Sequence, residues 1–343
     1  MSSESKELLE IFTSADGVSG DEEEIAELFK IAIEPFVDRV ETTPLGSVIA
    51  TRDGTSGKSI MIAAHMDEVG IMVRYITPDG YIYFVPIGGL DANVLLGQEV
   101  RFKDGIVGVI GATPPHLSAP GTVHKIENLW VDIGAKDKKM VEDAGIEIGS
   151  YAVINSEPRS IGEYLMAKAL DDRAGLVAMI EVMEGIEHWE QLDHTVYIVG
   201  TVQEEVGLKG GRGPVEMFDP DVAIAIDVTM ASNTPGIPES KAPVKMGKGP
   251  VLVIADGAGR GIISSKKLNA RIRDIAKEMD IPIQMEVSSG GTTDATMMQM
   301  VGHGRAATVL SIPSEYIHSP RSTIHMDDYI NLVILLRGIL YHL

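Results

Sequence analysis

Two histidines and a set of carboxylates fall where apolar runs end, and that placement is the first chemical signal in the sequence. His65 and Asp67 follow the run at 59–64, Glu204 and Glu205 follow 195–202, Asp227 closes 222–226, and His318 lies just beyond 307–312. Asp171 and Asp172 open a helical stretch that contains Ala174 and Gly175. Open α/β sheets bind ligands at the carboxyl ends of their strands, so these runs would deliver all of the groups to one sheet edge. Imidazole nitrogens and carboxylate oxygens gathered there suit a divalent transition metal, most naturally zinc or cobalt. The sequence has no cysteine. Disulfides, thiolate nucleophiles, Cys-type zinc fingers and iron–sulfur clusters are therefore excluded, and any metal must sit on His, Asp or Glu.

The individual patterns differ in weight. His-x-Asp recurs at His325-Met326-Asp327, where Asp327 reads as the N-cap of the last helix. The first copy stands out because an apolar strand carries it to a sheet edge, and a carboxylate two residues on can orient a metal-bound imidazole. Glu22-Glu23-Glu24 is a solvated face of the first amphipathic helix region. Glu204-Glu205 instead ends an apolar strand, where charge is costly unless a cation compensates. Successive side chains of extended backbone point opposite ways. One carboxylate can therefore ligate while its neighbour approaches water, the division of labour that metal-assisted hydrolysis needs. Of Asp171 and Asp172, one can cap the helix, with Arg173 pairing beside it, and the other is free to bridge metals. Asp227 inside an apolar strand calls for a ligand role, because an unpaired buried carboxylate costs several kcal/mol. The stretch 288–295, SSGGTTDA, is a glycine-rich turn before a short helix, able to hold an anion or line a substrate channel. It is neither a P-loop nor a dinucleotide fingerprint, and no GxSxG elbow occurs.

The elements that must position these groups follow from periodicity. Ser19 and Glu22 read as a capping box, followed by Ile25, Leu28, Phe29, Ala32 and Ile33 at helical spacing. Between about 70 and 155 the texture changes to short β-type runs at 81–85, 98–102 and 106–110 with turns at Asp79-Gly80 and Asp104-Gly105. Pro114, Pro115 and Pro120 mark a long loop there. After about 159 the βα alternation returns, with a helix at 174–185, strands at 195–202, 222–228, 251–255, 283–287 and 307–312, and helices at 265–279 and 327–343. The expected fold class is α/β, a mostly parallel sheet flanked by helices, split by an inserted small all-β, barrel-like domain. The expected domains are 1–69 with 160–343, and 70–159.

At 343 residues and 44% apolar composition the chain can bury a sizeable core. Its 29 basic against 50 acidic residues give a net charge of −21, a field that repels nucleic acid and anionic membranes. The first twelve residues lack a basic region followed by an apolar stretch, so the cytoplasm is the expected location.

Taken in order, AAHMDEVG around His65, KALDDRAG around Asp171, TVQEEVGLKGG around Glu204, AIDVT around Asp227, SGGTTDA around Asp294 and IPSEYIHSP around His318 resemble a known family. The sequence looks like a tetrahedral (TET) aminopeptidase of the glutamyl and deblocking aminopeptidase family of di-metal exopeptidases, over nearly its whole length. The resemblance implies two divalent ions per subunit, zinc or cobalt, held by His65, Asp171, Glu205, Asp227 and His318, with Asp171 as the bridge. It also implies Glu204 as general base, Asp67 behind His65, a dimerisation role for the β-rich insert, and assembly of homodimers into a homododecamer. The substrates would be short unfolded peptides, with acidic N-terminal residues preferred. Arg260, Lys248 and Arg321 are candidates to hold such a residue. Where the family has Leu-Gly-Asn, this chain has Leu45-Gly46-Ser47. Two other readings fit the same residues: a related di-metal amidohydrolase, such as a deacylase or carboxypeptidase, and an inactive metal-binding assembly scaffold.

Overall fold

The stretch from Ile60 to Ala64 is apolar at every position, and in the computed structural model it lies in the strand Ser59–His65, buried on both faces. Ile60, Ile62 and Ala64 face one core while Met61 and Ala63 face another. The structure describes residues 2–114, 117 and 123–343; Pro115 and Pro120 of the expected loop lie outside them. Among the described residues, eleven strands form one sheet and six form a closed barrel.

The centre of the sheet is parallel, in the order Thr195–Thr201, Ser59–His65, Val222–Met230 and Ala306–Glu315. Its margins are antiparallel. Val48–Arg52 and Arg39–Thr42 extend one side, and Ser322–His325, Tyr164–Ala167 and Arg159–Ile161 the other. Val251–Ala255 pairs antiparallel with Ala306–Glu315 and parallel with Gln284–Val287. The expected α/β class with a β insert holds, with a sheet that is mixed overall because short antiparallel strands complete both edges.

Leu170–Glu184 is apolar nearly all round and accordingly lies buried behind the sheet. Ser2–Ser14, Glu23–Ile33, Lys266–Glu278 and Met326–His342 pack the same side through residues such as Phe12, Phe29, Ile272 and Leu336. Arg212–Phe218 and Asp294–Met300 cover the opposite face with Val215, Ala295 and Met298. The barrel runs Gly70–Ile76, Ile82–Ile87, Trp130–Asp132, Val107–Gly111, Glu99–Phe102 and Tyr151–Ile154 around Ile71, Phe84, Val100 and Val131. Its Asp104-Gly105 turn has φ of +62° and +79°, a left-handed conformation that Asp and Gly tolerate. No helix of the described residues is long and apolar enough to cross a membrane.

Two local expectations are corrected. The capping box is absent: Ser19 Oγ donates to Asp67 Oδ2 at 2.6 Å, and Glu22 Oε1 accepts the main-chain N–H groups of Gly20 and Gln203 at 2.8 and 3.1 Å. The helix Glu23–Ile33 starts without a side-chain cap, because both groups are recruited to the site described below. At the last helix the N-cap is His325, whose Nδ1 accepts the Asp327 N–H at 3.2 Å, and Asp327 sits in the first turn. An imidazole acceptor serves there in place of the expected carboxylate.

Candidate active site

The four central strands end at a common edge, and the groups singled out in the sequence meet there. His65 closes its strand and is 2% exposed. Its Nε2 lies 2.9 Å from Asp171 Oδ1, and its Nδ1 lies 3.0 Å from the Asp67 carbonyl oxygen. His318 Nε2 stands 3.4 Å from Asp171 Oδ2 and 3.2 Å from Glu205 Oε1. One carboxylate, Asp171, therefore reaches an imidazole through each of its oxygens.

Asp172 is directed elsewhere. Its Oδ1 accepts the Gly175 N–H at 3.1 Å inside the buried start of the helix. Of the two aspartates it is the one that satisfies a helix donor, while Asp171 faces the histidines. Asp227, 7% exposed, lies with His65 and Asp171 in a group whose donor atoms are within 4.8 Å of one another. Asp171, Glu205 and His318 form a second group within the same limit. The two groups share Asp171.

Asp67 is fully buried, and its carboxylate does not principally serve His65, from whose Nδ1 it lies 3.6 Å away. It accepts the N–H of Glu204 at 3.0 Å, the N–H of Glu205 at 3.2 Å and the Ser19 hydroxyl. The imidazole is oriented by the Asp67 main chain; the Asp67 side chain holds the Glu204-Glu205 turn. Gln203, just before that turn, has φ +55° and is fixed through Glu22, whose carboxyl burial pushes up to about 7. Ser19 and Glu22 are site residues that sequence reasoning spent on a helix cap.

A third contribution comes from beside the barrel. His318, itself at φ +59°, has Nδ1 2.8 Å from the Gly89 carbonyl oxygen. A Cβ on Gly89 would come within 2.8 Å of that nitrogen, so the approach requires glycine. No pattern in the sequence marked it: Gly89 is one of 36 glycines.

The electrostatics are those of a site short of positive charge. Burial raises the carboxyls of Glu204, Glu205 and Asp227, and neighbouring carboxylates add to the shift. Burial acts in the same direction on Asp171, but its hydrogen bonds with His318 and His65 outweigh it and hold that carboxyl well below its usual range. Desolvation works against a charged His318, yet Asp171 and Glu205 raise it to about 10. Four carboxylates, Asp227 buried and Asp171, Glu204 and Glu205 partly so, thus compete around two imidazoles for whatever cation is at hand. The nitrogen and oxygen donors, their spacing in two groups and the shared carboxylate fit a pair of divalent ions. Glu204 belongs to neither donor group but lines the same cavity, of about 630 Å³, with Glu205, Asp171, Asp227 and His318. The glycine-rich turn supplies another wall, through residues 288–293.

Beneath the site runs a buried ion network. Arg173, expected beside the aspartates, turns away: its Nε donates to the Met66 carbonyl at 2.7 Å and its Nη1 to that of Phe12 at 2.8 Å. Its Nη2 lies 3.4 Å from Glu68, which also accepts Lys168 Nζ at 2.6 Å. All three side chains are at most 3% exposed. Glu68→Gln removes the nearest counter-charge of two buried cations, and we expect a loss of about 3 kcal/mol in unfolding free energy by denaturant titration. A loss below about 1 kcal/mol would show the network to be relaxed by water.

Mixed sheet, inserted barrel and a two-group His/carboxylate cluster together describe a class of peptide hydrolases, and comparison with known proteins gives the family. The M42 glutamyl aminopeptidase family model matches residues 46–335. The lysyl aminopeptidase of Pyrococcus furiosus is 37% identical, covering 98% of this chain and 97% of its own. An aminopeptidase from the archaeon Desulfurococcus kamchatkensis superimposes with a TM-score of 0.95 at 39% identity, covering 99% of this chain and 95% of that one. The Pyrococcus horikoshii TET1 peptidase, which can assemble into a tetrahedron or a large octahedral shell, gives 0.89 at 35% identity, covering 98% and 99%. The chain belongs to the M42 glutamyl aminopeptidase family and is an enzyme, a peptide hydrolase of the aminopeptidase kind.

Proposed function

We propose that this chain is a di-metal aminopeptidase that removes N-terminal residues from short unfolded peptides. The observation that carries the reading is Asp171, one carboxylate reaching both His65 and His318 from two distinct oxygens. His65, Asp171 and Asp227 would hold one ion, and Asp171, Glu205 and His318 the other. Bound there, zinc or cobalt would polarise the scissile carbonyl and make water more acidic. Glu204 is assigned as general base: it takes a proton from the attacking water and returns it to the leaving amine. Asp67 acts through the main chain, fixing the Glu204 and Glu205 amides. The cluster of buried carboxylates also offers counter-charge for a free α-amine, which lets the site count from the N-terminus.

The division into 1–69 with 160–343 and an inserted 70–159, the dimerisation role of that insert, a homododecamer and a cytoplasmic location are parts of the same proposal. The homododecamer is supported by the likeness to the TET peptidases, the division by the closed barrel, and the rest by the family resemblance. A preference for acidic N-terminal residues rests on the family resemblance and on Lys241, the one lysine or arginine among the described residues of the cavity wall. Arg260, Lys248 and Arg321 are not among the residues lining the cavity, and Arg321 is tied to Ser156 and Glu157.

The test is metal-dependent release of N-terminal residues from a peptide panel, with free and acetylated N-termini compared. We expect stepwise release from the free peptides only. Hydrolysis of N-acyl amino acids or release from the C-terminus instead would favour the deacylase or carboxypeptidase reading, and metal binding without any turnover a scaffold.

A further inference from the structure

The cavity that holds the catalytic cluster continues to a second, separate pair of carboxylates. Asp256 follows the strand Val251–Ala255 and Glu286 lies on its parallel neighbour Gln284–Val287, opposite Val253. Both line the cavity, at 4% and 7% exposure. Neither belongs to the two metal-competent groups.

Their bonding leaves charge unanswered. Asp256 Oδ1 accepts the Ile262 N–H at 2.7 Å, but Asp256 Oδ2 is buried with no hydrogen-bond partner among the described residues. Glu286 Oε2 takes the Thr229 hydroxyl at 2.6 Å. Its carboxyl is pushed up by burial and also by Asp256 beside it. A buried carboxylate is costly to keep, and two on the wall of one cavity favour a cation there. Lys241 is the one lysine or arginine among the described residues lining the cavity, and it is exposed. Charges at low exposure act through less water than one at the mouth, so the negative pair governs the field inside.

We propose that Asp256 and Glu286 form the end of the pocket for the N-terminal side chain and select peptides that begin with a basic residue, lysine or arginine. An ammonium or guanidinium entering the cavity would be drawn by the charge of both carboxylates, while Thr229 keeps Glu286 in place. A glutamate side chain would add a third negative charge at the same spot. The sign of selectivity is thus opposite to that suggested by the family resemblance. This inference rests on the aminopeptidase reading, since it needs the α-amine to be held at the Asp171 cluster.

The experiment uses the metal-loaded enzyme and aminoacyl anilides of Lys, Arg, norleucine, Leu and Glu. Lysine and norleucine share an unbranched side chain and differ at its end in charge, so their ratio reads the pocket's charge. We expect kcat/KM for Lys to exceed that for norleucine by about tenfold or more, with Glu slowest. Asp256→Asn and Glu286→Gln should each cut that ratio about tenfold, through KM. A measurement that needs no variant is inhibition of the wild type by L-lysinamide and L-norleucinamide: both carry the α-amine, and the lysine compound should bind more tightly. Faster release of norleucine, Leu or Glu than of Lys, equal inhibition by the two amides, or a Lys preference that survives both substitutions would overturn the assignment. Absence of N-terminal release from every substrate would remove the aminopeptidase reading itself, and the pocket with it.

Discussion

Glu204→Gln is expected to lower kcat by about 10³-fold while both metal ions stay bound. The glutamine keeps the size and the hydrogen-bonding reach of the side chain but cannot take a proton. Glu204 stands outside both donor groups, so metal content measured on the purified variant should equal that of the wild type. Its main-chain N–H remains on Asp67, so the turn that carries Glu205 is undisturbed. The informative result is the combination of full metal occupancy with little turnover. Full turnover at full occupancy would contradict the assigned base, and loss of metal would move Glu204 into the ligand set.

The second large effect concerns the shared carboxylate. Asp171→Asn weakens both groups at once, because each oxygen faces a different histidine. We expect metal content to fall from two ions to less than one per chain and turnover to fall on the order of 10⁴-fold. Thermal stabilisation by added zinc or cobalt, worth about 2.7 kcal/mol per site when free ion is about a hundredfold above Kd, should largely vanish. Asp172→Asn is the control: its carboxylate serves the Gly175 N–H, and this variant should keep both ions. Retention of two ions by Asp171→Asn alongside their loss in Asp172→Asn would exchange the roles of the two aspartates.

Much of this arrangement was readable because strands with continuous apolar runs leave few places for a charged residue to be. Val222–Met230 is buried over most of its length, so Asp227 announced itself as an exception. Ser59–His65 likewise delivers His65 to the edge. What escaped was positioning that depends on main-chain atoms and distant loops. Asp67 was read as the carboxylate behind His65, but it is the Asp67 carbonyl that faces the imidazole. A carbonyl oxygen leaves no trace in residue type. Ser19 and Glu22 have the spacing of a capping box, yet their partners are Asp67 and Gln203, 48 and 181 positions away. Local grammar cannot weigh such a competitor. Two marginal strands were missed for a related reason: Arg159–Ile161 is exposed throughout, and Tyr164–Ala167, though apolar, is only four residues long.

The Gly89 carbonyl that fixes His318 lies just past the barrel strand Ile82–Ile87. The tautomer of one imidazole is therefore set by a segment that lies outside both the sheet and the helix that carry His65, Asp227 and Asp171. Paring the molecule down to its sheet and helices would leave that ring held only through Nε2, by Asp171 and Glu205, so the smallest well-ordered version of this site has to include its barrel.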